Sequence, residues 1–160
     1  MLPSIRLSLI IPCAKQDEQL LQTLLASIAR QSFPKEELEI LVVREGNSEE
    51  AKAYGIQQAR GRILGLLCAD NQLLGNCFLS DLVAAAESPA VIGAYPRYYA
   101  WVREDTPLNR YFALLGANDP LCWWLGKADK ESYFHSIRSM VSSKPRTVIF
   151  LQSIPSIGDN

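Results

Sequence analysis

The residue with the clearest potential chemistry in this chain is Asp70, which follows a short apolar run at residues 63–67. Glycine flanks that run and no charge interrupts it, as is typical of a strand buried on both faces of a parallel sheet. A carboxylate at the end of such a strand is well placed to hold a divalent metal ion on a phosphorylated substrate. Aspartate before a polar residue is also common in turns, so Asp70 taken alone favours a simple turn role.

The rest of the chain alternates between apolar runs and helical segments, which is typical of an α/β protein with a doubly wound, mostly parallel sheet. Helices are predicted over residues 17–31, from Ser48 and over 79–87, and strands near 5–11, 38–43, 63–67, 90–95 and from Thr147. In such sheets ligands bind at the carboxyl ends of the strands. We therefore expect Pro12, Glu45 and Asp70, each of which ends or follows a predicted strand, at one sheet edge.

Short motifs accompany these predicted elements in a fixed order. They are a strand ending at Pro12, Gln-Ser-Phe-Pro at residues 31–34, Glu-Gly-Asn-Ser at 45–48, Tyr-Gly-Ile at 54–56 and Cys-Ala-Asp at 68–70. Together the segments resemble the nucleotide-binding half of family 2 glycosyltransferases, over roughly residues 5 to 95. Each motif is short, and their common order and spacing make the resemblance specific. It implies a GT-A fold, the fold of nucleotide-diphospho-sugar transferases.

The motifs depart from the family pattern at polar positions. Where the family has Asp-Asp-Gly-Ser, this chain has Arg44 before Glu45, so a base replaces one acid. Where the family has Asp-Ala-Asp, Cys68 replaces the first carboxylate, and Tyr54 replaces the family's helix asparagine. A thiol is a poor ligand for Mg²⁺ or Mn²⁺, which prefer oxygen. These changes bear on metal affinity and donor choice rather than on the fold.

The resemblance implies metal-dependent, inverting transfer of a sugar from a nucleotide-sugar donor to a saccharide or lipid-linked acceptor. It implies that Pro12, Cys13 and Ala14 line the nucleotide pocket. Glu45 is then expected to read the base, and Asp70 to bind Mg²⁺ or Mn²⁺. Such a transfer also needs a carboxylate that takes the proton of the acceptor hydroxyl.

The candidates for that general base are Asp119 and Asp159, and for each of them a turn or helix-cap role is the alternative. We expect a single GT-A-like domain, with residues 5–95 as its nucleotide-binding half and 96–160 as its acceptor side. Clustered aromatic residues in the second half favour core packing, with an acceptor platform or a membrane-facing surface as alternatives. The family's catalytic domain continues further, so we expect the chain to be incomplete at its C-terminus.

Composition narrows the expected location and partners. The 160 residues include 48% apolar and 21% charged residues, and the net charge is −1. These are ordinary values for a globular domain, and they lack the basic excess of nucleic-acid-binding proteins. The sequence shows no signal peptide and no apolar run of the roughly 18 residues that span a bilayer. We expect a cytoplasmic protein, with peripheral association at the cytoplasmic face of a membrane as the alternative.

The four cysteines lack the spacing of a zinc or redox motif, which favours free thiols over a Cys13–Cys68 disulfide. Two other functions compete with transferase activity. Arg44 and Cys68 favour a catalytically weak or inactive GT-A-like module that binds a partner or lipid carrier. A different nucleotide-binding fold is disfavoured, because the chain has neither a Gly-x-Gly-x-x-Gly nor a Gly-x-x-x-x-Gly-Lys-Ser/Thr stretch.

Overall fold

The computed structural model describes residues 4–87, residues 91, 93 and 94, a few positions between 103 and 111, and the backbone of 147–151. The chain divides into two compact units, residues 1–95 with 146–153 and residues 96–145 with 154–160. The strands and helices described below belong to the first unit. Of the second unit, only six residues between 103 and 111 are described.

A five-stranded sheet forms the centre of the first unit, within the described part of the chain. Its strands are β1 (Leu7–Pro12), β2 (Leu38–Val43), β3 (Ile63–Leu67), β4 (Gly93–Ala94) and β5 (Thr147–Leu151). Their order across the sheet is β2-β1-β3-β5-β4, and every neighbouring pair is parallel. The predicted α/β class with a parallel sheet is therefore confirmed, with a Rossmann-like alternation of strands and helices.

Helices cover both faces of this sheet. They are α1 (Glu18–Ala29), α2 (Ser48–Gln58) and α3 (Phe78–Ala86). The main core joins Leu7, Leu9 and Ile11 of β1 with the buried side chains of α1 and α3. On the other face, Ile10 and Leu64 pack against the end of α2. Successive strand side chains point to opposite faces, so β1 supplies both cores although it is only six residues long.

The helix α2 approaches β1 closely at Gly55. This glycine is buried, and a Cβ atom built on it would overlap the Cγ2 atom of Ile10. Interiors are packed densely enough that even one added methyl group displaces its neighbours. The glycine of the Tyr-Gly-Ile motif therefore has a packing role, which holds α2 against the sheet.

A buried carboxylate ties the amino ends of β1, β2 and β3 together. Glu39 Oε2 accepts hydrogen bonds from Ser8 Oγ at 2.6 Å and from the Arg60 amide at 2.9 Å, and Glu39 Oε1 accepts from Arg60 Nε at 2.6 Å. The Ser8 hydroxyl also accepts a hydrogen bond of 2.8 Å from the Gly61 amide. Because Arg60 and Gly61 immediately precede β3, this network fixes where β3 enters the sheet.

Candidate functional site

Three neighbouring strands end at the same edge of the sheet. Pro12 lies opposite Val43 in the register of β1 and β2, and the Cys13 amide donates a hydrogen bond of 2.9 Å to the Val43 carbonyl. Since β3 is parallel to β1, residues 12–18, 43–50 and 67–71 all follow strand ends on this side. We call these three segments the carboxyl edge. Pro12, Glu45 and Asp70 belong to one segment each.

In the segment after β1, the Cys13 side chain is buried and the next residue, Ala14, is exposed. Cys13 is 4% exposed and packs in the main core with Ala69. Its Sγ donates a hydrogen bond of 3.4 Å to the Ala14 carbonyl, and Ala14 itself is exposed. Burial, followed by the charge of Glu18, raises the pKa of the Cys13 thiol. The thiol is therefore a packed neutral group, and Ala14 presents the accessible surface of this segment.

The segment after β2 forms a tight turn into α2. Gly46 has a φ of 78°, a left-handed conformation that glycine adopts without steric cost. Asn47 Oδ1 then accepts hydrogen bonds of 3.0 Å from the Glu49 and Glu50 amides, and Glu50 Oε2 accepts one of 3.0 Å from the Asn47 amide. This capping box defines the start of the helix that was predicted from Ser48. Glu45 is exposed just before the turn.

An ion pair joins the segments that follow β1 and β2. Arg44 Nη2 lies 3.1 Å from Oε1 and 3.2 Å from Oε2 of Glu18, and Arg44 Nε donates to Oε2 at 3.4 Å. The two side chains are 51% and 47% exposed. The hydrogen bond from Arg44 lowers the pKa of Glu18, and Glu18 in turn raises the pKa of Arg44. A guanidinium group therefore stands at the edge where the resemblance predicts an acid.

The segment after β3 places Asp70 on a closed turn. The Asn71 amide donates to the Cys68 carbonyl at 3.0 Å, and the Cys68 amide donates to Asn71 Oδ1 at 2.9 Å. Ala69 is 6% exposed and anchors the turn in the core, while Asp70 is exposed. The turn role and a ligand-binding role are compatible, because the turn holds the carboxylate at the protein surface.

The loop beyond Asp70 is tied to the end of α1 by polar side chains. Gln31 Nε2 donates to the Gly75 carbonyl at 2.9 Å, and Gln31 Oε1 accepts from the Leu79 amide at 3.2 Å. The hydroxyl of Ser27 accepts from the Leu73 amide at 3.0 Å. Sequence reasoning missed these positioning roles. The only signal was the presence of Gln31 in a motif of the resemblance.

Several carboxylates lie on the carboxyl edge, but they do not converge into a metal-binding cluster. No cluster of three or more His, Cys, Asp or Glu side chains in the described part of the chain is placed to hold one. Asp70 supplies one carboxylate, and Mg²⁺ commonly uses one or two carboxylates together with substrate phosphates and water. A single carboxylate such as Asp70 is compatible with a metal ion that other ligands also coordinate, and it does not form a complete metal site by itself.

Several other sequence predictions can be compared with the structure. Cys13, Cys68 and Cys77 are free thiols, as expected. Asp119 and Asp159, the candidate general bases, lie outside the described residues. No helix among the described residues combines the length and apolar character needed to cross a membrane.

The chain was also compared with known proteins. No protein-family model matches it, and no curated protein sequence matches it.

Proposed function

We propose that the carboxyl edge binds the nucleoside diphosphate of a nucleotide-sugar, and that the chain is an inverting glycosyltransferase of the family 2 type with a GT-A fold. The observation that supports this most directly is the parallel register of β1, β2 and β3. It brings together three segments that match separate motifs of the resemblance. Ligands of open parallel sheets bind at this edge.

The proposed roles follow from the exposure of each side chain. Pro12, the backbone of Cys13 and exposed Ala14 contact the nucleotide, and exposed Glu45 accepts hydrogen bonds from the base. Asp70 would be the protein ligand for Mg²⁺ or Mn²⁺. When bound, the metal ion would neutralise charge on the leaving diphosphate. The proposal keeps Asp119 or Asp159 as the base for a saccharide or lipid-linked acceptor. A lipid-linked acceptor would place the protein at the cytoplasmic face of a membrane.

The test is calorimetric titration with UDP and GDP in Mg²⁺, Mn²⁺ or EDTA. We expect one nucleotide to bind more tightly with metal, because a metal ion held by Asp70 would offset the negative charge of the diphosphate. Asp70→Ala should remove that metal dependence. Asp81→Ala is the matched control, since Asp81 is an exposed aspartate on α3. Equal affinity of the wild-type protein in EDTA and in metal would contradict the metal role, and no binding of either nucleotide would contradict the function.

A second candidate function is a catalytically weak or inactive GT-A-like module that binds a partner or lipid carrier. The Arg44–Glu18 ion pair favours it, because a base occupies a position that is acidic in the resemblance. Release of nucleoside diphosphate from nucleotide-sugars separates the two functions. A transferase releases UDP or GDP from the nucleotide-sugar in the presence of a suitable acceptor. A binding module releases no nucleoside diphosphate under the same conditions.

A further inference from the structure

Arg44 is a positively charged side chain attached directly to the proposed nucleotide site. It follows Val43, whose carbonyl accepts the hydrogen bond from the Cys13 amide. It therefore lies next to the segment of Cys13 and Ala14. Its positive charge opposes the rise that burial causes in the pKa of the Cys13 thiol, which is consistent with the proximity of the two side chains.

The present partner of Arg44 can be exchanged for another anion. Glu18 holds the guanidinium through both carboxylate oxygens, but about half of each side chain is exposed to solvent. Exposed ion pairs contribute little to stability, because water competes for both charges. Guanidinium groups bind phosphate in the same two-pronged geometry that they use for carboxylate. A bound diphosphate therefore competes with Glu18 for Arg44 on favourable terms.

The diphosphate also needs a source of positive charge beyond the metal ion. Asp70 is a single exposed carboxylate, and the neighbouring Cys68 thiol is a poor ligand for Mg²⁺. A divalent ion held by one carboxylate binds weakly before the nucleotide arrives. A permanently charged cation on the protein would make diphosphate binding depend less on the metal ion.

We propose that Arg44 leaves Glu18 and binds the diphosphate of the nucleotide, with Glu18 holding the guanidinium in place until the ligand arrives. This inference rests on the proposed function, because it concerns the same nucleotide. It makes Arg44 a binding residue, and it makes Glu18 the competing anion that the diphosphate displaces. The exchange forms and breaks hydrogen bonds only.

The experiment is a double-mutant cycle in calorimetric titrations, run with whichever of UDP and GDP the wild-type protein binds. Arg44→Gln should weaken binding about tenfold, which is the loss of one charge-assisted contact. Glu18→Gln should tighten it about threefold, because the diphosphate no longer competes with an ion pair. In the Arg44→Gln background, Glu18→Gln should have little effect.

Two controls isolate the phosphate contact. Arg30→Gln removes the same charge at the other end of α1 and should leave affinity unchanged. Uridine or guanosine lacks the phosphates, so Arg44→Gln should not alter its binding. Arg44→Lys keeps the charge but loses the forked geometry, and it should bind with intermediate affinity.

The outcomes separate this inference from the proposed function. If the wild-type protein binds neither nucleotide, both proposals fail. If it binds one of them and Arg44→Gln binds equally well, only the role of Arg44 fails. Additive effects of Arg44→Gln and Glu18→Gln, or an equal loss of nucleoside binding, would also overturn it. Because Glu18→Gln retains Arg44, its tightening tests the exchange even if Arg44→Gln folds poorly.

Discussion

The buried carboxylate of Glu39 gives the sharpest prediction about stability. Its side chain is 8% exposed, and it accepts hydrogen bonds from Ser8, which is fully buried, and from the backbone and side chain of Arg60. Removing the carboxylate would leave the Ser8 hydroxyl and the Arg60 amide without their acceptor. We therefore predict that the free energy of unfolding falls most in Glu39→Ala, less in Glu39→Gln and least in Arg60→Ala.

The size of each loss follows from the atoms that remain. In Glu39→Gln, the amide oxygen can still accept hydrogen bonds from Ser8 Oγ and the Arg60 amide. The negative charge and the contact with Arg60 Nε are lost, so the free energy of unfolding should fall by about 1.5–3 kcal/mol. Alanine leaves two donors of this network, the Ser8 hydroxyl and the Arg60 amide, without an acceptor, and at about 1–3 kcal/mol for each it should cost about 2–6 kcal/mol. Arg60→Ala should cost less than about 1 kcal/mol, because that side chain is 73% exposed.

The same network predicts how stability depends on pH. Burial raises the pKa of Glu39, but the hydrogen bonds from the Arg60 amide, Ser8 and the Arg60 side chain outweigh it, and the net pKa is lowered. A group with a lower pKa in the folded state stabilises the protein fully above its unfolded pKa, about 4.3 for glutamate. That contribution is lost as the pH falls through the folded pKa. Glu39→Gln should therefore make the acid decline in stability shallower.

The assay is urea unfolding followed by circular dichroism, at pH 7 and at several values between pH 5 and pH 3. Fitting gives the free energy of unfolding of each variant. An equal loss for Arg60→Ala and Glu39→Ala would refute the reasoning, because it would assign the stability to the exposed ion pair. An unchanged acid decline in Glu39→Gln would refute the assignment of the lowered pKa.

Three further substitutions test the elements that shape the carboxyl edge. Gly55→Ala should destabilise by about 1–3 kcal/mol in thermal unfolding, because its Cβ atom would overlap Ile10. Asn47→Ala should cost about 1 kcal/mol in the same measurement, because it removes the capping box with Glu50. Cys68→Asp should raise the Mn²⁺-induced shift in melting temperature above that of the wild-type protein, because it adds a hard oxygen ligand beside Asp70, the proposed metal ligand.

Each of these substitutions has an outcome that contradicts it. If the Gly55→Ala variant is as stable as the wild-type protein, then α2 can move away from β1 at no cost. Asn47→Asp should retain the helix cap. If it loses as much stability as Asn47→Ala, the loss has another cause. A collapse of Cys68→Asp with and without Mn²⁺ would mean that Cys68 is a packed structural residue, since an unpaired buried carboxylate costs on the order of several kcal/mol.

Local hydrophobic pattern predicted the elements that carry the carboxyl edge. The bounds of β2 and β3 agree with the predicted runs at 38–43 and 63–67. The first strand was predicted at 5–11 and lies at Leu7–Pro12, because Arg6 precedes the apolar run and proline is tolerated where a strand ends. The helix predicted over 17–31 ends at Ala29, and Gln31 instead uses its side chain to hold the loop after β3.

The features that the sequence did not reveal all depend on long-range contacts. The insertion of β5 between β3 and β4 joins segments about 80 residues apart and has no local signal. A strand was predicted near residues 90–95. Of these residues the structure describes 91, 93 and 94, and Gly93–Ala94 form β4. The burial of Glu39 was missed because a single charge in an apolar strand is ordinarily solvent-facing. Its partners are Ser8 on β1 and Arg60 after α2, 31 and 21 residues away in the sequence.

Two of the departures from the resemblance, Arg44 and Cys68, act on the same property of the carboxyl edge. Cys68 removes a negative charge from the segment after β3, and Arg44 replaces a negative charge by a positive one after β2. Relative to the family pattern, both changes lower the negative charge of the edge, which favours anions and disfavours free metal ions. On the proposals above, metal and Arg44 therefore share one task, which is to neutralise the diphosphate. The affinity lost on Arg44→Gln should consequently be larger in EDTA than in Mg²⁺, and the ratio of the two losses measures how the task is divided.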